Sequence, residues 1–125
     1  MSANPIPEGY HSVTPYLVVD GAARAIDFYR EAFGAEEVLR MPAGDKLGHA
    51  EIRIGDSIVM LSDEWPDHNM LGPKARGGPC GLLMIYVEDV DAAYARAVEA
   101  GATAHRPVED QFYGDRSGSV VDPFG

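Results

Sequence analysis

The same order of patterns occurs twice in this chain, and this repeat limits the folds it can adopt. In each half an apolar stretch, "VTPYLVV" at 13–19 and "GLLMIYV" at 81–87, precedes a stripe of apolar residues at helical spacing. The two stripes end at Gly34 and Gly101, each followed by Ala. Glycine is the usual residue just past a helix C-terminus, and a short extended run follows each one. The sequence therefore predicts one strand–helix–strand unit that is present twice.

Single residues mark where these elements begin. Pro15 pushes the start of the first strand toward an edge or a bend. Asp20 and Asp89 precede the two helical stripes and are the predicted N-caps.

The strands after each predicted helix give the two halves their full pattern. The first half continues with "EEVLRM", "LGHAEIRI" and "SIVMLSD", the last two separated by a two-residue turn, Gly55-Asp56. The second half continues with "TAHRPV" and "GDRSGSVV" and reaches "DPFG". We therefore predict an α+β fold of two paired βαβββ modules, 12–63 and 81–125, joined by a connector at 64–80. The last strand of the second module is missing, so we expect that the natural chain is longer or that another chain covers this edge.

Composition narrows the class of partner. The chain has 125 residues, enough for one domain with its own core, and its formal charge is -10. This charge disfavours nucleic acid and anionic membrane surfaces as partners. No apolar run is long enough to span a bilayer, and a single Cys80 suits a reducing compartment, so we expect a cytoplasmic protein. Cys80 is interpreted either as a small half-buried residue or as a free thiol nucleophile.

Particular motifs carry a resemblance to a known family. The βαβββ repeat, "IDFYREAFG" at the end of the first helix and "DPFG" after the penultimate strand resemble the vicinal oxygen chelate superfamily. That superfamily includes glyoxalase I, bleomycin-resistance proteins and extradiol dioxygenases. "HAEIRIGDSIVMLSD" and "YGDRSGSVVDPFG" are most similar to its PhnB-like branch. The resemblance implies that each module curls into half of a trough, with helices outside and a ligand within.

The resemblance also implies where metal ligands would lie. Matching the family's strands puts three of its four ligand positions at Thr14, Met60 and Leu82, and the fourth beyond Gly125. Zinc, nickel and iron sites of this kind need His, Glu or similar donors, and these three residues are poor replacements. We therefore expect a protein without metal or other cofactor.

Polar residues alternate along the third predicted strand. If Gly55-Asp56 is the hairpin turn, Glu51 pairs with Met60 and His49 with Ser62, and paired residues share a face of the sheet. Since the resemblance points Met60 into the trough, His49 and Glu51 would point there too. The alternate residues would then pack under the helices: Ala50, Ile52, Ile54, Val59 and Leu61. The alternative is a solvated face, which alternating polar residues usually indicate. Within a trough, the two side chains could form an acid/base pair or a structural hydrogen bond.

Aromatic residues supply further candidates. Tyr16 and Tyr86 occupy equivalent trough-facing positions in the two modules, where they could stack on a planar ligand or simply fill the core. Trp65 and His68 lie in the Pro- and Gly-rich connector, where a loop aromatic can cover a site.

The remaining candidates are charged side chains or histidines. Asp115 and Arg116 could form a structural ion pair across an interface, or Arg116 could hold a ligand carboxylate. His11 and His105 are interpreted as surface residues, because neither belongs to a metal-binding spacing. The predicted ligand contacts are Tyr16, Met60, Ser62, Trp65, Leu82, Tyr86 and Arg116, with His49 and Glu51 as candidate catalytic residues.

Three functions follow from these features. The first is a metal-free homodimeric protein that binds a small, aromatic or amphipathic molecule in a trough between modules. The second is a lyase, isomerase or dioxygenase-type enzyme that uses His49 and Glu51, either for proton transfer or in a metal site that the family does not have. The third is a scaffold whose trough is filled by its own side chains.

Overall fold

A computed structural model describes residues 5–79 and 81–125. The predictions about Cys80 lie outside the described residues. In the described part the elements are β1 (Tyr16–Val19), α1 (Ala22–Phe33), β2 (Glu36–Ala43), β3 (Lys46–Ile54), β4 (Ser57–Asp63), a 3-10 turn (Pro66–His68), α2 (Val90–Ala100), β5 (Thr103–Asp110) and β6 (Arg116–Val121). No described helix is long and apolar enough to cross a membrane.

The first module is built on a four-stranded sheet with the order β1-β4-β3-β2. β1 runs parallel to β4, and the other neighbours are antiparallel. β1 is an edge strand that begins at Tyr16, directly after Pro15. This confirms the prediction from Pro15, since proline lacks the N–H that a central ladder needs.

The β3–β4 hairpin has the predicted register. Ile54 pairs with Ser57 and Glu51 with Met60, across a turn in which Gly55 has a φ of 59°. A positive φ is what a two-residue hairpin turn requires, and glycine adopts it without strain. The recorded pairing extends to Ala50 with Leu61, one step before the predicted pair of His49 and Ser62.

The core lies between this sheet and α1. Ala50, Ile52 and Leu61 have no exposed surface, and Val59 is almost as buried. This confirms that alternate residues of β3 and β4 pack under the helix. The buried face of α1 consists of Ala22, Ala25, Ile26, Phe28, Tyr29 and Ala32.

The start of α1 corrects one prediction. The sequence favours Asp20 as the N-cap, but Gly21 occupies this position, and no side chain of the N-cap bonds the helix. Instead Asp63, at the end of β4, accepts the backbone N–H groups of Gly21 and Ala22 at 2.9 Å each. Its second oxygen accepts the N–H of Leu47 at 2.7 Å. A helix N-terminus carries unpaired donors, and here a distant carboxylate satisfies them.

The second module packs on the first through its helix. Asp89 caps α2 as predicted, accepting the N–H of Ala92 at 3.1 Å. In the described part the elements of the two modules meet where α2 lies against α1. After β6, the Asp122 carboxylate accepts a 2.6 Å hydrogen bond from the Tyr29 hydroxyl of α1. The strands β5 and β6 form a separate antiparallel ribbon.

The predicted strand at 81–87 is wrong. These residues join no described ladder, and Leu82 and Tyr86 are 84% and 79% exposed. In the first module, β1 is held by β4, which inserts between β1 and β3. No described residue takes the equivalent place beside β6, so apolar strand-forming residues have nothing to pair with. The second module is therefore a helix with a two-stranded ribbon.

The connector packs back on the first sheet. Gly72 N–H donates to the Glu64 carboxylate at 2.6 Å. A Cβ at Gly72 would stand 2.8 Å from the Val18 carbonyl oxygen, so only glycine fits against β1 here. The connector thereby packs against the edge strand β1.

Candidate functional site

The segment before β1 lies against the sheet face opposite α1. Glu51 and Met60 of the sheet border a cavity of about 380 Å³ together with seven residues of this segment: Pro5, Ile6, Pro7, Tyr10, His11, Ser12 and Thr14. Backbone contacts hold the segment in place: the Met60 N–H donates to the Pro15 carbonyl at 2.9 Å. The His11 ring also bonds the Asp56 carbonyl at 3.3 Å. We call this cavity the cleft; its walls are residues 5–14 and the hairpin β3–β4.

Four polar side chains form one hydrogen-bonded row beside the cleft. The Tyr10 hydroxyl donates to Oε1 of Glu51. His49 Nε2 lies 2.7 Å from Glu51 Oε2, and the Tyr16 hydroxyl lies 2.9 Å from His49 Nδ1. The rings of Tyr16 and His49 are 5.4 Å apart between centroids. We call Tyr10, Glu51, His49 and Tyr16 the tyrosine–histidine–glutamate row.

Exposure increases along this row from Glu51 to Tyr16. The side chains of Glu51 and His49 are 8% and 23% exposed, and Tyr16 is 43% exposed as a residue. A buried carboxylate is unfavourable unless hydrogen bonds satisfy it, and both oxygens of Glu51 have partners. The row thus connects a buried charge to a group that a ligand can reach. At Glu51 this face is not solvated, contrary to the alternative that alternating polar residues favour.

The hydrogen bonds of the row determine the charge of Glu51. Burial raises the pKa of Glu51, but hydrogen bonds from Tyr10 and His49 outweigh it, and the pKa lies below its ordinary value. The same hydrogen bond, together with burial, raises the pKa of Tyr10. At neutral pH Glu51 is therefore a carboxylate, and Tyr10 is a neutral phenol that donates to it.

The residues at the family's metal positions do not fit a metal. Thr14 donates its hydroxyl to the His11 carbonyl at 3.1 Å, Met60 offers only a thioether, and Leu82 is a hydrocarbon. In residues 5–79 and 81–125, no three His, Cys, Asp or Glu side chains are grouped as metal ligands. Zinc and iron favour nitrogen, thiolate and carboxylate donors, so this set lacks the chemistry for them.

Other predicted ligand contacts lie near the sheet but turn away from the cleft. Ser62 is fully buried, and its hydroxyl donates to the Asp63 carbonyl at 3.0 Å. Trp65 is half-buried in the connector, with the Lys46 ammonium 4.9 Å above its ring. Met60 alone among the non-polar candidates borders the cleft.

The candidates of the second module lie apart from the cleft. Tyr86 donates its hydroxyl to Asp115 at 3.3 Å. Arg116 bonds Asp91 through two nitrogens at 3.0 Å and Asp110 at 3.1 Å. These hydrogen bonds raise the pKa of the Arg116 guanidinium. The Arg116 side chain is therefore engaged by carboxylates of its own module, Asp91 of α2 and Asp110 of β5.

The position of the cleft differs from the expected trough between modules. Every residue that borders it precedes residue 61, so it belongs to the first module and its N-terminal segment. The sequence analysis also missed Tyr10, which contributes the second donor to Glu51. A single tyrosine in a Pro- and Gly-containing segment has no periodicity, so no sequence pattern could have predicted its contact with β3.

Comparison with known proteins agrees with this architecture. A protein from Mycobacterium bovis, itself uncharacterized, is 48% identical over 118 residues, which cover 91% of this chain and 78% of that protein. The solved gene product of Arabidopsis thaliana At5g48480 is 27% identical, with a TM-score of 0.75 and 93% of each chain covered. A PhnB protein from Bacillus cereus, 18% identical, shares the fold with a TM-score of 0.67 over 92% of this chain and 94% of its own. Residues 9–125 match the model of the Glyoxalase/Bleomycin resistance protein/Dioxygenase superfamily, and the chain belongs to this superfamily.

Proposed function

We propose that this protein binds a small molecule in the cleft and does so without a metal ion. The cleft itself carries this proposal: its volume of about 380 Å³ falls in the roughly 300–1,000 Å³ range of ligand sites. Ligand sites combine apolar walls with a few oriented polar groups. Here Ile6 and Met60 supply apolar surface, and Tyr10 and Glu51 supply the polar groups. This lining suits an aromatic or amphipathic molecule.

A thermal-shift screen with aromatic and amphipathic compounds tests the site, because a ligand of the folded state raises the unfolding midpoint. The Met60→Ala variant removes a wall of the cleft and should weaken the binding of any stabilising compound about tenfold. Val98→Ala is the control, since Val98 is 39% exposed on α2 and lies outside the cleft. The proposal fails if no compound stabilises the protein, or if both variants respond as the wild type does.

The absence of a metal is tested separately. Elemental analysis of protein purified without chelator should find transition metal far below one equivalent per chain. The donor chemistry at Thr14, Met60 and Leu82 supports this expectation. One equivalent of zinc, iron or nickel that survives dialysis would overturn it.

A second candidate function is proton transfer by an isomerase or lyase. The observation in its favour is the hydrogen bond between His49 and Glu51 at 2.7 Å, because a carboxylate that orients an imidazole is a recurring acid–base arrangement. Both ring nitrogens of His49 are engaged within the protein, so we do not propose a metal site there. A ligand from the screen should then exchange a C–H for deuterium in heavy water, measured by mass spectrometry. Exchange that is unchanged in Glu51→Gln would exclude this role.

We also propose that two copies associate through the exposed apolar surface of the second module. This surface, the dimer patch, comprises Leu82, Leu83, Met84, Tyr86, Val87, Phe112 and Tyr113. Phe112 is 100% exposed, and the hydrogen bond of Tyr86 to Asp115 joins segment 81–87 to the loop that carries it. Aromatic side chains bury on the order of 150–250 Å² each. Three of them with four aliphatic residues approach the roughly 800 Å² per partner of a standard interface.

Sedimentation at several concentrations tests the dimer. The Leu82→Glu variant should be monomeric where the wild type is dimeric, whereas Val13→Glu, an equally exposed position outside the patch, should remain dimeric. A monomeric wild type at about 100 µM, or open-ended aggregation in place of a dimer, would contradict the proposal.

We also propose that the protein works in the cytoplasm. Its charge of -10 and its single cysteine, which suits a reducing compartment, support this proposal.

A further inference from the structure

The hydrogen bonds around His49 determine which atom carries each proton. An ionised Glu51 can only accept, so the Tyr10 hydroxyl and His49 Nε2 must both donate to it. A neutral imidazole has one N–H, and this one is on Nε2, so Nδ1 is an acceptor. The Tyr16 hydroxyl, 2.9 Å from Nδ1, must therefore donate inward.

This direction leaves Tyr16 with a defined outward face. Its one proton is committed to His49, so its oxygen can only accept from a ligand. Tyr16 is 43% exposed and stands directly opposite Met60 in the β1–β4 register. Thr14, two residues before Tyr16, and Met60, its partner on β4, both border the cleft. Tyr16 therefore lies at the margin of the cleft.

We infer that the Tyr16 hydroxyl sets the ligand class of this site, selecting molecules with an N–H or O–H donor while His49 is neutral. When His49 is protonated, its Nδ1–H donates to the Tyr16 oxygen, which frees the phenol proton. Tyr16 then selects acceptors such as ethers and carbonyls. This inference rests on the ligand site proposed above and adds the polarity of its recognition.

Among the groups around the row, protonation of His49 is the change that reverses the donor and acceptor roles of the Tyr16 hydroxyl. The titratable and charged groups of the row and its surroundings are Tyr10, Tyr16, Glu51 and Arg53, with His11 in the cleft wall. The neighbouring strands present methionines, with Met41 of β2 opposite His49 and Met60 of β4 opposite Glu51. Of these groups only His49 and His11 are imidazoles, and His11 bonds the Asp56 carbonyl rather than a member of the row.

A pair of neutral probes of the same shape tests the inference. 2-Naphthol offers an O–H donor, and 2-methoxynaphthalene offers only an acceptor. Titration calorimetry of wild type should give 2-naphthol an advantage of about threefold to tenfold at pH 8, the net effect of one neutral hydrogen bond. At pH 5 the advantage should shrink or reverse. Tyr16→Phe should bind both probes with a ratio that does not change with pH.

Controls separate this result from general effects of pH. Tyr94→Phe removes a phenol of α2, and His105→Gln removes a histidine of β5 that bonds Ser119; neither residue borders the cleft. Both variants should keep the pH-dependent ratio of the wild type. Two probes that bind at a constant ratio would overturn the role of Tyr16 and leave the binding site standing. If neither probe binds, the proposed site and this inference both fail.

A measurement on wild type needs no ligand or variant. Two-dimensional nitrogen NMR distinguishes the histidine tautomers, and at pH 8 His49 should carry its proton on Nε2. A proton on Nδ1 would mean that Tyr16 accepts rather than donates, and would overturn the inference directly.

Discussion

The two helices have similar lengths and the same cap residues at their C-termini, yet they contribute very differently to the fold. α1 buries six side chains against a four-stranded sheet, whereas α2 buries Ala97 and packs on α1 and a two-stranded ribbon. The difference follows from β4, which lies between β1 and β3 and gives α1 a complete surface to cover. The repeated sequence pattern therefore specifies both helices, and the number of paired strands decides how much of each helix is buried.

Matched substitutions on the two helices should show the largest effect. Ile26→Ala, at a position 1% exposed on α1, should lower the free energy of unfolding by about 2–5 kcal/mol through lost burial and a cavity. Val98→Ala, at a position 39% exposed on α2, should cost less than about 1 kcal/mol. Urea denaturation measures both. Equal losses would mean that the second helix is packed in solution as tightly as the first.

The helix caps provide the next test. Asp63→Ala leaves three backbone N–H groups without their acceptor, two at the start of α1 and one on β3, and should cost about 2–3 kcal/mol. Asp89→Ala removes one ordinary N-cap bond from α2, with an expected cost of about 1 kcal/mol. The same urea titrations check this order. A larger loss for Asp89→Ala would reverse the comparison.

The buried carboxylate should give the first module its own acid sensitivity. The pKa of Glu51 is lower in the folded protein than its ordinary 4.5, so its stabilising effect is full above that pH and is lost as pH falls below it. Glu51→Gln should cost about 1–2 kcal/mol at pH 7 and flatten the loss of stability between pH 5 and 3. Glu88→Gln, at an exposed residue of the second module, is the control. A mutant with the wild-type acid profile would show that Glu51 does not contribute to it.

The smallest effect is expected in segment 81–87. Leu82→Ser should change the stability of the monomer by less than about 0.5 kcal/mol, because Leu82 is 84% exposed. Unfolding must be measured at a concentration low enough to exclude association. A loss above 1 kcal/mol would show that this segment is packed in the monomer. The two modules would then differ less in how tightly they are packed.

Local rules predicted the parts of the fold that local chemistry controls. The Gly55-Asp56 turn fixed the β3–β4 register, and through it the shared face of Glu51 and Met60. Gly34 and Gly101 marked the ends of both helices. These features depend on residues close in sequence, so they can be read without a tertiary structure.

The failed predictions concern contacts between distant residues. Asp20 has the right type and position for an N-cap, but Asp63, 42 residues from Gly21, provides the bond. The stretch 81–87 has strong strand propensity, which does not supply a ladder partner. Tyr10 is 41 residues from Glu51 in the chain, so nothing in the sequence indicated that its hydroxyl also bonds this carboxylate.

The segment that forms one wall of the cleft stands outside the hydrophobic core. Residues 5–14 contribute no side chain to the buried cluster beneath α1. Replacements there can therefore reshape the ligand site with little consequence for folding, whereas changes in β3 or β4 affect both at once. Such a division lets evolution, or a protein engineer, alter what is recognised by varying a short stretch of chain while the scaffold beneath it is inherited intact.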